Sequence, residues 1–247
     1  MLNGFWKLTW VEAKVFMREP MGFLIPLAMP VILFIFLGRS LGFGELETGQ
    51  AVAAPFNLPI LFALVIALQA IVSLVVIISI YREGGILKRL RATPLSPATI
   101  LSAHVFIKLA FTVVSLGLLI LAGRQFFPGA MDVHLFSFTA ALLLSTLSIL
   151  SLGFVIASIV PTSRFARPIV AAFIYPMVAL SGLFFPIEQL PSWLQVVTQA
   201  FPTTHAVSLM QGIWDGSGWA AHWGSVLGLV LVFGVCVALS TRVFRWE

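Results

Sequence analysis

Charge and sulfur are both scarce in this chain. Cys236 is the single cysteine among 247 residues, so an intrachain disulfide is excluded, and its apolar setting says nothing about redox compartment. Charged residues make up 9% of the sequence, where an ordinary soluble domain carries about a quarter. The histidines His104, His134, His205 and His222 are dispersed and none belongs to an HExxH pair, so no metal site is expected. No glycine precedes a lysine anywhere, which removes a GxxxxGK[ST] phosphate loop. The stretch "ALSGLF" around Ser181 lacks the glycine two residues earlier that a nucleophile elbow requires. The chain is therefore not expected to be an enzyme by itself.

What the chain does have is hydrophobicity, 60% of all residues, in runs long enough to cross a bilayer. Six apolar blocks can be drawn, at Gly22 to Leu41, Phe56 to Ile80, Thr99 to Ala122, Leu135 to Val160, Pro168 to Phe185 and Ala221 to Val243. None contains an acidic residue, so the carboxylates expected for ion or proton coupling are missing. The reading is an all-α integral membrane protein of six transmembrane helices in a single domain, 1–247. The net charge of +5 does not imply nucleic acid, because the basic residues sit between the blocks. Lys7, Lys14, Arg18, Arg82, Lys88, Arg89, Arg91, Arg164, Arg167, Arg242 and Arg245 fall on one side and only Arg39 and Arg124 on the other. The positive-inside rule then predicts that both termini and the connector at 81–97 are cytoplasmic. Although "AVAAP" at 51–55 resembles a signal-cleavage site, the preceding run is longer than a signal core and holds Pro26 and Pro30, so cleavage is not expected.

The fourteenth basic residue, Lys108, falls inside the third block, as a functional charge or as a side chain reaching back to the cytoplasmic interface. Its place near the start of the block, one turn after His104, favours the second. The segment 1–20 projects onto a helix with Lys7, Lys14 and Arg18 on one stripe and Phe5, Trp6, Ala13, Phe16 and Met17 opposite, the layout of a helix lying in the membrane interface. Pro20 then allows a turn into the bilayer. In the outer region Pro186, Pro191 and Pro202 divide an apolar stretch into pieces too short to span, so 186–214 is expected to dip in or lie flat as short broken helices. Gly224 and Gly228 form a GxxxG pattern and Ser145, Ser148 and Ser151 line one side of the fourth block; both suit close helix contacts, chiefly within one subunit.

The connector "YREGGILKRLRATPLSP" reads as a hinge, one or two turns of amphipathic helix and a proline stop. A docking knob and a solvated loop fit that pattern equally well. Its residues Glu83, Gly84, Leu87, Leu90, Thr93, Pro94, Leu95 and Ser96 resemble a signature of the membrane subunits of type-2 ATP-binding-cassette exporters. "SGLFFPIEQLPSWLQVVTQAFPTTHAV", with Pro186, Glu188, Pro191, Trp193 and Pro202, is similar to a second hallmark of that family. One departure is His104, where the family resemblance leads one to expect a lysine. The resemblance implies a permease whose segment 82–95 is a coupling helix seated in a separate cytoplasmic ATPase subunit, with ATP and Mg bound by that partner and no cofactor by this chain. It further implies a second permease copy, contact with membrane lipid, location in a prokaryotic inner (cell) membrane, and spans one, two and five around the substrate path. Twenty-two phenylalanines favour an apolar or amphipathic cargo, a drug-like molecule or a lipid, though phenylalanine is equally good lipid-facing filler. The alternatives are export of a lipid-linked polysaccharide and an ATP-independent channel or secondary carrier.

Overall fold

The computed structural model describes residues 2–18, 20–42, 57–86, 97–128, 134–160 and 162–243, and among these the regular elements are α-helices and one short 3-10 segment, with no strand. In chain order the helices are α1 (Leu2–Arg18), α2 (Pro20–Ser40), α3 (Leu58–Glu83), α4 (Pro97–Phe126), α5 (Leu135–Ile159) and α6 (Ser163–Ala179). A 3-10 turn (Ile187–Gln189) and the helices α7 (Ser192–Thr198), α8 (Pro202–Trp214), α9 (Gly218–Ala221) and α10 (Trp223–Val243) follow.

Among the described residues, four helices are long and apolar enough to cross a membrane: α3, α4 from Leu101, α5, and α10 to Ser240. At 1.5 Å per residue each reaches the ~30 Å of a hydrocarbon core, or nearly so for the shortest. The apolar part of α2 and the whole of α6, 17 residues, are shorter. The boundaries have local causes. Asn57 caps α3 by accepting from the Ile60 N–H at 3.3 Å, and Pro59 occupies the first turn, where its missing N–H costs nothing. α5 stops where Val160 goes extended, as the residue before a proline prefers.

α3 and α5 form the centre. α3 packs against α2, α4, α5, α6 and α8, while α5 also touches α4, α6, α8 and α10. α3 is the most enclosed of the four long helices and α10 the least. Inside lipid there is no hydrophobic drive between helices, so close approach at small residues takes its place. A Cβ built on Gly153 of α5 would lie 2.8 Å from the Ile71 side chain of α3, so the glycine lets these two helices meet. Ser148 donates to the Leu229 carbonyl of α10 at 3.0 Å, and Ser151 to the Ser148 carbonyl at 2.6 Å. The GxxxG pattern is half used within the subunit: Gly228 lies against the His205 ring, whereas a Cβ added at Gly224 would meet nothing within 4 Å.

Two expectations need adjustment. The fifth apolar block predicts helix from Pro168 to Phe185, but α6 begins earlier, at Ser163, and ends earlier, at Ala179. The start is set by extended Thr162, and the end is followed by Gly182 at φ 83°, a left-handed conformation that glycine adopts without strain. In the segment 186–214, Pro202 opens a 13-residue helix, longer than the pieces of about ten residues or fewer that the proline spacing suggests, because proline at a first helical position starts a helix rather than stopping it.

Candidate functional site

The 81–97 connector begins at the C-terminal end of α3. α3 runs to Glu83, whose side chain is exposed, and Gly84 caps it by donating to the Ile80 and Arg82 carbonyls. Gly85 follows at φ 65°, so the paired glycines break the helix where the hinge was expected. Leu87, Leu90, Thr93, Pro94, Leu95 and Ser96, with most of 82–95, lie outside the described residues.

Just before the break the chain is tied on two sides. The Arg82 guanidinium donates to the Ala157 carbonyl at 3.2 Å and also to the Val160 carbonyl, both at the C-terminal end of α5. These carbonyls have no partner further along their own helix, and the negative end of its dipole favours a cation there. A planar five-donor fork is suited to reach both. One residue earlier, the Tyr81 ring meets the buried His104 ring of α4 edge-on, with centroids 5.4 Å apart. The connector therefore springs from a point fixed to α4 and α5 together. In the sequence Arg82 counts only toward orientation; an arginine two residues before a helix-breaking glycine pair is the signal that could have marked it.

The N-terminal segment Leu2–Arg18 is helical, with Lys7, Lys14 and Arg18 exposed. It packs on α2 and α4, and Phe5 and Trp6 meet Phe106 of α4 edge-on at 6.0 and 5.8 Å. Trp10 is exposed, and Thr9 is buried with its hydroxyl donating to the Phe5 carbonyl.

In the segment 186–214, Pro186, Glu188, Pro191 and Trp193 are exposed, whereas Pro202 is buried. The hydroxyl pair after Pro202 has a physical role that its spacing did not disclose. The Ser181 N–H turns back to Val178, leaving the Met177 carbonyl without a helical donor, and Thr203 supplies one at 2.8 Å. Thr204 reaches the Leu180 carbonyl at 3.5 Å. The start of α8 thus completes the end of α6, and Gln195 ties α7 to the preceding turn through the Leu190 carbonyl at 2.8 Å. Beyond it, Ser225 donates to Ser208, and His222 bridges Ser208 and Ser217 through its two ring nitrogens at 3.3 and 3.1 Å. These bonds hold α8, α9 and α10 together. A Cβ on Gly212 would lie 2.0 Å from that histidine ring, so only glycine fits there.

Among the described residues no group of three or more His, Cys, Asp or Glu side chains could hold a metal ion. Lys108 is only 9% exposed and lines a cavity between α2, α3 and α4.

Residues 3–214 match the family described as ABC-2 type transporter. The chain is 29% identical over 168 residues to the inner membrane transport permease YhhJ of Escherichia coli (strain K12), covering 66% of this chain and 44% of that one. It is 25% identical over 193 residues to the probable multidrug ABC transporter permease YbhR of the same organism, covering 77% and 52%. Nodulation protein J of Neorhizobium galegae is 34% identical over 103 residues, covering 40% and 39%. The chain spans about half the length, or less, of these curated relatives. With a family match over most of its length and several membrane-crossing helices, the chain is an integral membrane protein that belongs to the ABC-2 type transporter family.

Proposed function

We propose that this chain is the transmembrane subunit of an ATP-driven exporter that moves an apolar or amphipathic cargo, drug-like or lipid, out of the cytoplasm. A separate ATP-binding-cassette subunit binds and hydrolyses ATP with Mg, and this chain supplies the membrane path. Two permease copies assemble, each in contact with one ATPase. The chain 1–247 acts as one permease domain of six spans with both termini cytoplasmic: α2 and α6 join α3, α4, α5 and α10 as spans one and five, α1 lies in the interface, and 186–214 sits near the outer end of the path. The name of the YbhR relative, a probable multidrug permease, supports the cargo class.

The observation that carries this reading is the anchoring of Arg82 to the end of α5. A solvated loop needs no such root. A loop pushed by a partner does, because force applied at 82–95 must reach the spans rather than be absorbed by a slack joint. With Arg82 bonded to α5 and Tyr81 against α4, displacement of the connector moves three spans as a unit, the kind of rigid two-state element that coupling between distant sites requires.

The test is reconstitution of the chain in vesicles with and without its candidate ATPase, measuring ATP hydrolysis and cargo movement together across a panel of amphiphiles. Cargo-dependent hydrolysis is expected, with movement only when both chains and ATP are present. Movement that persists without the ATPase would instead establish a channel or secondary carrier.

A further inference from the structure

Packing leaves one face of α1 uncovered, and that face is basic and aromatic. At about 100° per residue, Lys7, Lys14 and Arg18 fall within about 40° of one another, with Val11 on one flank and Trp10, then Trp6, on the other. All six are exposed, Trp10 at 67% and Trp6 at 56%. Glu12, the one acidic residue of α1, falls about 120° or more from each of the three basic positions on that projection. No carboxylate shares the face.

The other side of α1 is engaged by protein. A helix lying on a membrane ordinarily sinks its apolar face into lipid, and the strength of attachment combines that burial with attraction of its cations to anionic headgroups. Here Phe5 and Trp6 meet Phe106 of α4 and Thr9 is buried, so α4 takes up part of the surface that lipid would otherwise cover. Attraction of the cations must then carry more of the attachment, and it selects negative charge. The basic positions extend over roughly 16 Å of helix axis, which suits a surface of headgroups better than one small anion. Phe106 remains 43% exposed beside Trp6, so an aromatic ledge adjoins the stripe and offers an acyl chain something to lie against. Indole rings favour the same level of a bilayer, where one end is wet and the other apolar.

We infer that the exposed face of α1 docks on anionic phospholipid, with headgroup phosphates along Lys7, Lys14 and Arg18 and acyl chains against Trp6 and Phe106. The docking rests on the interfacial placement of α1 proposed above. The test uses the full chain in phosphatidylcholine nanodiscs, without ATPase, carrying Cys236→Ser and a bimane on Val11→Cys. Phosphatidylglycerol or phosphatidylcholine with a nitroxide high on the acyl chain is the quencher. Half-quenching by the phosphatidylglycerol probe is expected at a mole fraction at least about tenfold lower than by the phosphatidylcholine probe. Lys7→Gln, Lys14→Gln and Arg18→Gln together should remove that preference, each alone should lower it about twofold, and Lys14→Arg should keep it. Salt at about 0.5 M should remove most of it. The single variants carry the test if the triple variant does not insert. Equal quenching by the two probes, or a preference that survives the triple variant and salt, overturns the proposal while leaving α1 in the interface. Quenching by neither overturns the interfacial placement as well, and shielding of the bimane only when the ATPase is added would then assign the stripe to a protein face. Both leaflets of a nanodisc share one composition, so the preference is read whichever way the chain is oriented. Neither ATP nor cargo enters the readout, so a negative result leaves ATP-driven transport standing.

Discussion

Leu90→Asp is expected to separate the permease from its ATPase while leaving the permease in the membrane. In "ILKRLRA", Ile86, Leu87 and Leu90 share one side of a helical projection and Lys88, Arg89 and Arg91 the other. If the apolar side seats in a groove of the ATPase, an aspartate there buries a carboxylate with no partner, which costs several kcal/mol. At 1.4 kcal/mol per factor of ten, the affinity for the ATPase should fall by roughly a hundredfold or more. Insertion should not change, because the connector lies outside the apolar blocks. The measurement is co-purification of the two chains together with permease-stimulated hydrolysis. Leu90→Met, similar in volume and polarity, should behave as the wild type, and Lys88→Gln should have a small effect. Wild-type assembly and hydrolysis in Leu90→Asp would remove the docking role from this segment.

The second large effect is expected at Arg82, where the account joins mechanism to stability. Arg82→Met keeps much of the apolar stem and deletes both bonds to the Ala157 and Val160 carbonyls. Hydrogen bonds from a charged donor contribute about 1.5–3 kcal/mol, and the site is only half-buried, so a total loss of about 2–3 kcal/mol is expected. For a chain of this size that corresponds to a fall of roughly 4–12 °C in thermal midpoint, measured on the detergent-purified protein. The functional consequence differs from that of Leu90→Asp. The ATPase still docks and hydrolyses, but the push is dissipated at the loosened root, and cargo moved per ATP should drop by about tenfold, within the range of ordinary coupling energies. Arg82→Lys should lie between, since a single ammonium cannot fork to two carbonyls. A variant that is less stable yet moves cargo at the wild-type ratio to ATP would make Arg82 a structural brace alone.

Much of the architecture was legible before any coordinates. The apolar blocks located the four candidate membrane-crossing helices to within a few residues, because a run of apolar residues long enough to cross lipid has one way to satisfy its backbone. The glycine pair at 84–85 announced the break after α3, and Pro20 the start of α2. What periodicity could not supply were the relations between helices. Thr203 and Thr204 stood out as a hydroxyl pair after a proline, but the carbonyls they serve belong to another helix more than twenty residues away. Arg82 was one basic residue among several until the end of α5 was brought to it. Position along a block likewise could not show that Lys108 shares a cavity with Gln69 and Ser115. Gln69, the only amide well inside the second apolar block, was the available sign that something polar was needed there.

The central claim is that the first cytoplasmic connector transmits force from an ATPase on another chain. Cys236, the only native cysteine, is buried and can be replaced by serine, so one new thiol at Leu90→Cys reports on the connector alone. The most direct measurement is site-specific cross-linking of that thiol to the ATPase in the assembled complex, nucleotide-free and again with ATP trapped. The account predicts a cross-link to the ATPase in both states, with the site of attachment or its yield changing between them. A thiol that reacts freely with a water-soluble maleimide and joins to no ATPase residue in either state would contradict it.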